Sequence, residues 1–149
     1  MEYKTHKRTK NLTLRDIHVG DLVQVWSEQT ERYSPPLKIT QICDDGTVYL
    51  IIDDENRLDP WEENIKDIDG IPITIDILKG FGITISDVYY DCGEICQNAM
   101  LDGKKIGQIR CNERGIYIRV WGGEFKYLHE IVDYWHRNHV DIKLEWKGV

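Results

Sequence analysis

The chain has 149 residues, with 19 Lys plus Arg against 26 Asp plus Glu and a formal net charge of -7. At 41% hydrophobic and 30% charged, with five Trp and eight Tyr, it has the material for a core, which excludes disorder as its overall state. No apolar run approaches the ~20 residues of a membrane helix, and the start MEYKTHKRTK is no secretory signal, so a cytoplasmic protein with reduced thiols is expected.

Residues 1–16 read as a flexible tail made basic by Lys4, Lys7, Arg8 and Lys10. Gly20-Asp21 opens a strand in which Leu22, Gln24 and Trp26 point one way and Val23 and Val25 the other. Ser34-Pro35-Pro36 breaks that pattern, and Leu37 to Ile42 is a second strand. Asp44-Asp45-Gly46 is a hairpin turn whose glycine supplies the positive φ. Thr47 to Ile52 is a third strand, with Val48, Leu50 and Ile52 on one face. After a turn at Asp53-Asp54-Glu55-Asn56, a short strand forms around Trp61. Short strands at such spacing predict a five-stranded SH3-like barrel over residues 17–70.

A boundary falls near Asp69-Gly70-Ile71-Pro72. Thr74 caps a short helix that Gly80 ends in the left-handed conformation. Residues 86–105 are hard to assign, with Val88-Tyr89-Tyr90 as one strand. Ile106 to Cys111 and Gly115 to Trp121 make a hairpin around Asn112-Glu113-Arg114. The strongest helix runs from Glu124-Phe125 to Arg137-Asn138, with Leu128, Ile131, Val132 and Trp135 as its buried stripe. Val140, Ile142, Leu144 and Trp146 alternate with polar residues and predict a last strand. The expected fold is therefore mostly β: a barrel at 17–70, then a small α+β unit at 71–149 with a hairpin, one amphipathic helix and a final strand.

Charge is distributed unevenly. Residues 1–40 carry a net of +2, residues 41–102 a net of -12 from fifteen acidic and three basic groups, and residues 103–149 a net of +3. The acidic balance argues against a general nucleic-acid binder, less so for the C-terminal unit. Solvated turns at Asp44-Asp45-Gly46 and Asp53-Asp54-Glu55-Asn56 are the first explanation of the deficit, and an acidic face for a basic partner, or one that imitates a nucleic-acid backbone, is the alternative.

Catalytic signatures are sparse. His129 and His136 lie two helical turns apart, about 10 Å along the axis, which is too far for one metal and is not the i, i+4 spacing of HExxH. His139 lies past the helix end. Cys92 and Cys96 form CxxxC, but Cys43 and Cys111 supply no second close pair for zinc. There is no GxSxG, P-loop or GxGxxG, and the carboxylate pairs sit in turns. The aromatics Trp26, Tyr33, Tyr49 and Trp61 fall within the barrel, and Tyr49 is expected on its outer face. Core packing is the first explanation of these rings, and the alternative is a display beside a loop, by which small barrels grip peptides, proline-rich segments or cations.

Three segments carry a resemblance: Val19-Gly20-Asp21-Leu22-Val23 with Asp45-Gly46-Thr47-Val48; Ile71-Pro72-Ile73-Thr74 with Ile77-Leu78 and Gly80-Phe81-Gly82; and Phe125-Lys126-Tyr127-Leu128-His129-Glu130. From residue 17 onward the chain resembles an uncharacterised family of small proteins from gut Bacteroidetes and their phages and mobile elements. It departs at Val132-Asp133-Tyr134, and the Cys92/Cys96 pair is outside the family pattern. The resemblance implies the order of parts and a mobile-element origin, and it carries over no activity.

The sequence thus points to a non-enzymatic interaction protein, with no cofactor or metal expected. It would bind a protein or peptide partner through Trp26, Tyr49, Trp61, Tyr127 and His129 and the acidic middle. Two other readings stay open: a metal-dependent hydrolase or nuclease using His129, His136 and nearby carboxylates, and an acidic inhibitor that imitates nucleic acid. Partner identity and oligomeric state are not encoded in any motif.

Overall fold

A computed structural model describes residues 8–52 and 59–148. The chain is a β-rich α+β protein with two antiparallel sheets and one long helix near its C-terminus. The expected turn at residues 53–56 lies outside the described residues, as do Lys4 and Lys7.

The first sheet holds β1 (Lys10–Asn11), β2 (Leu22–Ser27), β3 (Arg32–Tyr33), β4 (Leu37–Ile42), β5 (Thr47–Ile51), β6 (Trp61–Asn64) and β7 (Ile68–Gly70). Its order is β1-β7-β2-β4-β5-β6, with β3 paired to β2. A single 3-10 turn, Ile65–Asp67, brings the chain back so that β7 pairs with β2. That connectivity is SH3-like. Val23, Leu37, Ile39, Val48, Leu50 and Ile68 fill the interior, as the period-2 alternation requires. β5 stops one residue short of the expected strand, and Ile52 is 40% exposed rather than inward.

The basic tail requires correction from Arg8 onward. Leu12 is buried in the barrel core, its N–H donates to the Ile68 carbonyl (2.9 Å), and β1 pairs with β7. The cause is Asp69. This carboxylate is fully buried, and burial of a charge is tolerated only when it is paired and hydrogen-bonded. Arg8 Nε donates to Asp69 Oδ2 (3.0 Å) and Tyr33 Oη donates to the same oxygen (2.6 Å).

In the second half, α1 (Ile75–Gly80) is capped by Thr74, whose hydroxyl accepts from the Ile77 N–H (3.2 Å). The left-handed residue behind it is Gly82 (φ 79°), not Gly80. Gly80 is needed for another reason: a Cβ there would run into the ring of Trp146. The second sheet holds β8 (Thr84–Ile85), β9 (Tyr89–Asp91), β10 (Glu94–Leu101), β11 (Lys104–Asn112), β12 (Gly115–Val120) and β13 (Gly123–Phe125). Its order is β13-β12-β11-β10-β8, with β9 on β10. The helix α2 (Leu128–Arg137) follows. It begins four residues later than the pattern suggests, because Gly123–Phe125 pairs with β12 instead.

The expected last strand does not form. Residues 140–148 form neither strand nor helix. They hold by side chains and by two backbone bonds to other elements: Leu144 is buried, Trp146 meets Phe81 edge-on at 5.0 Å, Val140 N–H donates to the Trp135 carbonyl and Lys147 N–H to that of Gly80. Their alternation reflects burial on one side only.

The two halves share a core. Leu22, from β2, belongs to the second cluster, with Ile71, Leu128, Ile131 and Trp135, while its neighbour Val23 belongs to the barrel. Ile71 and Ile73 exchange backbone bonds with Leu128 and Lys126 (2.8 and 2.9 Å). The α2 helix therefore lies against β2, which places its acidic and histidine residues beside the start of the barrel.

The outer face of the second sheet carries Arg110, which is almost fully covered. It donates to Asp91 (2.9 Å), Glu94 (2.9 Å) and Gln108 (2.8 Å), and Tyr117 Oη also reaches Glu94 (3.0 Å). These guanidinium bonds hold both carboxyls below their ordinary range. Arg110→Lys is expected to lower Tm by a few degrees in differential scanning fluorimetry, nearly as much as Arg110→Ala. An ammonium cannot serve three partners in one plane. A Lys variant with wild-type Tm would show that only the charge matters.

Candidate functional site

The five residues chosen from sequence do not form one surface. Trp26 is 5% exposed and packs edge-on against Tyr33 at 4.8 Å, so it belongs to the packing rather than to a display. His129 is 4% exposed on the inner side of α2. Burial pushes its pKa down, which keeps the imidazole neutral. Tyr127, half-buried, precedes α2 with its ring 6.0 Å from His129 and the Lys10 ammonium 5.3 Å away.

Tyr49 and Trp61 remain accessible but on different faces. Directly opposed strand residues share a face. Tyr49 opposes Gln41 and Glu62 on the outer face, whereas Trp61 opposes the buried Leu50 and is 40% exposed at the barrel edge. The charge of Glu62 first, then burial and the smaller effects of Cys43 and Asp45, raise the Tyr49 phenol above its ordinary range. Among the described residues the most exposed rings, Trp121 at 95% and Tyr90 at 75%, lie in the second half and were not singled out by the sequence.

The cysteines are all free thiols. Cys111 opposes Ile95 while Cys96 opposes Arg110, so Cys96 and Cys111 point to opposite faces of the sheet and cannot share an ion. The acidic groups are likewise divided: Asp69 pairs with Arg8 in the barrel, and Asp91 and Glu94 pair with Arg110 in the second sheet.

A different constellation assembles at the seam. The turn into β2 is held by the Gly20 N–H donating to the Ile39 carbonyl (2.8 Å), with Gly20 at φ 98°, where a side chain would be strained. This turn folds the Asp21 carboxylate back so that its Oδ2 accepts from the His18 N–H (2.8 Å). Asp21 is 1% exposed, and its Oδ1 has no hydrogen-bond partner. From α2, Asp133 reaches the same point: its Oδ2 lies 2.9 Å from His18 Nδ1. Burial first, and then the facing Asp133, push the Asp21 carboxyl up to about 9. A cavity of about 220 Å³ opens beside the group, lined also by Val132, His136 and Arg137. Chemically this is a carboxylate pair with an imidazole at one flank, able to hold a proton or a cation between them.

Sequence reasoning missed this group. His18 and Asp133 are 115 residues apart, and only the i, i+3 spacing of His18 and Asp21 ahead of a strand hinted at it. No protein-family model, no curated protein and no solved structure matches the chain. No helix among the described residues is long and apolar enough to cross a membrane.

Proposed function

We propose that the chain is a non-enzymatic interaction protein of phage or mobile-element origin. It acts in the cytoplasm by binding a basic segment of a partner protein on the outer face of the barrel. The observation that carries the reading is Tyr49. Its ring stands on the open face of β5, with Glu62 opposite and the Asp44-Asp45 turn at the strand end. Carboxylates around an aromatic ring suit Lys or Arg, whose stems lie on the ring while their heads meet the charges. The adjoining β6 carries Trp61, Glu62 and Glu63 and pairs only with β5 among the described residues, so it offers backbone groups for an added strand.

The reading is tested by fluorescence anisotropy with labelled Lys/Arg-rich decapeptides. Saturable, salt-sensitive binding is expected. Tyr49→Ala and Glu62→Lys should each weaken it about tenfold, which is ~1.4 kcal/mol, without lowering Tm appreciably. Binding unchanged in both variants, or absent altogether, refutes it.

A further inference from the structure

We propose that His18, Asp21 and Asp133 form a binding site for a divalent transition-metal ion of the zinc type, at the seam between the turn into β2 and helix α2. The site is separate from the Tyr49 face and independent of the partner-binding reading. One ligand atom from each residue lies within 4.8 Å of the others. His18 Nδ1 is 2.9 Å from Asp133 Oδ2 and 3.8 Å from Asp21 Oδ2. Donors on one tetrahedral zinc, bound at ~2.0–2.1 Å, stand about 3.3 Å apart. The two spacings fall on either side of that value, so small side-chain adjustments complete the set.

The independent sign of a ligand is the orphaned oxygen of Asp21. The residue is 1% exposed, lines the cavity, and leaves Oδ1 without a donor. Elsewhere the fold answers a buried carboxylate with an arginine, Arg8 for Asp69. Among the described residues no Lys or Arg makes an ion pair with Asp21 or Asp133. A buried carboxylate, Asp21, facing the part-buried Asp133 favours a positive species between them, and the His18 imidazole nitrogen is placed to share it. One nitrogen and two oxygens favour a borderline cation over calcium or magnesium, which prefer all-oxygen shells. Three protein ligands leave a fourth position, and the 220 Å³ cavity beside His136 and Arg137 has room for water or a small anion there.

The test is calorimetric titration of chelator-treated full-length protein with zinc chloride, together with thermal melts. One ion per chain is expected, with Tm raised by roughly 5–10 °C at a hundredfold excess over Kd. Cobalt substitution should give d–d bands without thiolate charge-transfer absorption. His18→Ala and Asp133→Asn should abolish binding, while Cys92→Ser and Cys43→Ser leave it intact. Asp21→Asn separates ligation from folding: its Tm in chelator should equal or exceed wild type, and the zinc-induced rise should vanish. Absence of saturable zinc binding overturns the proposal. So does binding that survives both His18→Ala and Asp133→Asn, or binding that requires Cys92.

Discussion

Trp135→Ala is expected to destabilise the protein by about 3–5 kcal/mol, seen as a lowered urea midpoint with an unchanged m-value. The indole is 5% exposed and sits on the inner stripe of α2 with Leu128 and Ile131. Truncation would open a cavity between elements that cannot easily close on it. Strand β2 is fixed from its other side by the barrel interior, and the C-terminal segment is held by Trp146 on Phe81 and by the Val140 bond to the Trp135 carbonyl. Because Leu22 of β2 belongs to the same cluster, the loss should reach both sheets. One transition, coincident by Trp fluorescence and far-UV circular dichroism, is therefore expected in wild type and variant alike. Glu145→Ala, an exposed change on the same segment, should cost under about 0.5 kcal/mol. Equal costs for the two would show that the seam is not a packed core.

The parts of the fold legible in the sequence are those set by local physics. β2, β4 and β5 follow from alternation, α1 from the Thr74 cap, and the body of α2 from its apolar stripe. What stayed hidden depends on distant partners. β10 lies where no pattern could be assigned, since Cys96 and Ala99 are buried on opposite faces and a bulge at Ala99/Met100 breaks the register. Glu124-Phe125, with its acidic first residue, reads as a helix start, but an available edge on β12 captures Gly123–Phe125 as a strand. Residues 140–146 have the alternation of a strand and find no edge to join.

The site was less legible than the fold for the same reason. Sequence spacing exposes groups that act along one element, such as His129 and His136, and those two turn out to face the core and the solvent. The group that does converge draws on a turn and a helix 115 residues apart. Its single sequence trace, the i, i+3 spacing of His18 and Asp21, has no meaning until α2 is docked against β2.

In chelator, the protein is expected to lose roughly 4–5 kcal/mol of stability between pH 4.5 and pH 8 through Asp21 alone. The carboxyl titrates near 3.8 when unconstrained and at about 9 in the fold. Between those values the folded chain keeps a proton that the unfolded chain has released, so stability falls as pH rises and levels off only above about 9. His129 works in the opposite sense. Its pKa is lowered from 6.5 by burial, so the unfolded chain binds the extra proton on acidification, and that contribution falls as pH drops below about 6.5. The raw profile mixes the two, and the difference between wild type and Asp21→Asn isolates the first. The Asn carbonyl can still accept from the His18 N–H, which keeps the turn, while the ionisable group facing Asp133 and His18 is gone. Asp21→Asn should therefore match or slightly trail wild type near pH 4.5 and exceed it increasingly toward pH 8, by urea denaturation at each pH. Parallel profiles would mean that the Asp21 carboxyl is ionised in the fold, with its charge met by a donor at the seam rather than by a proton.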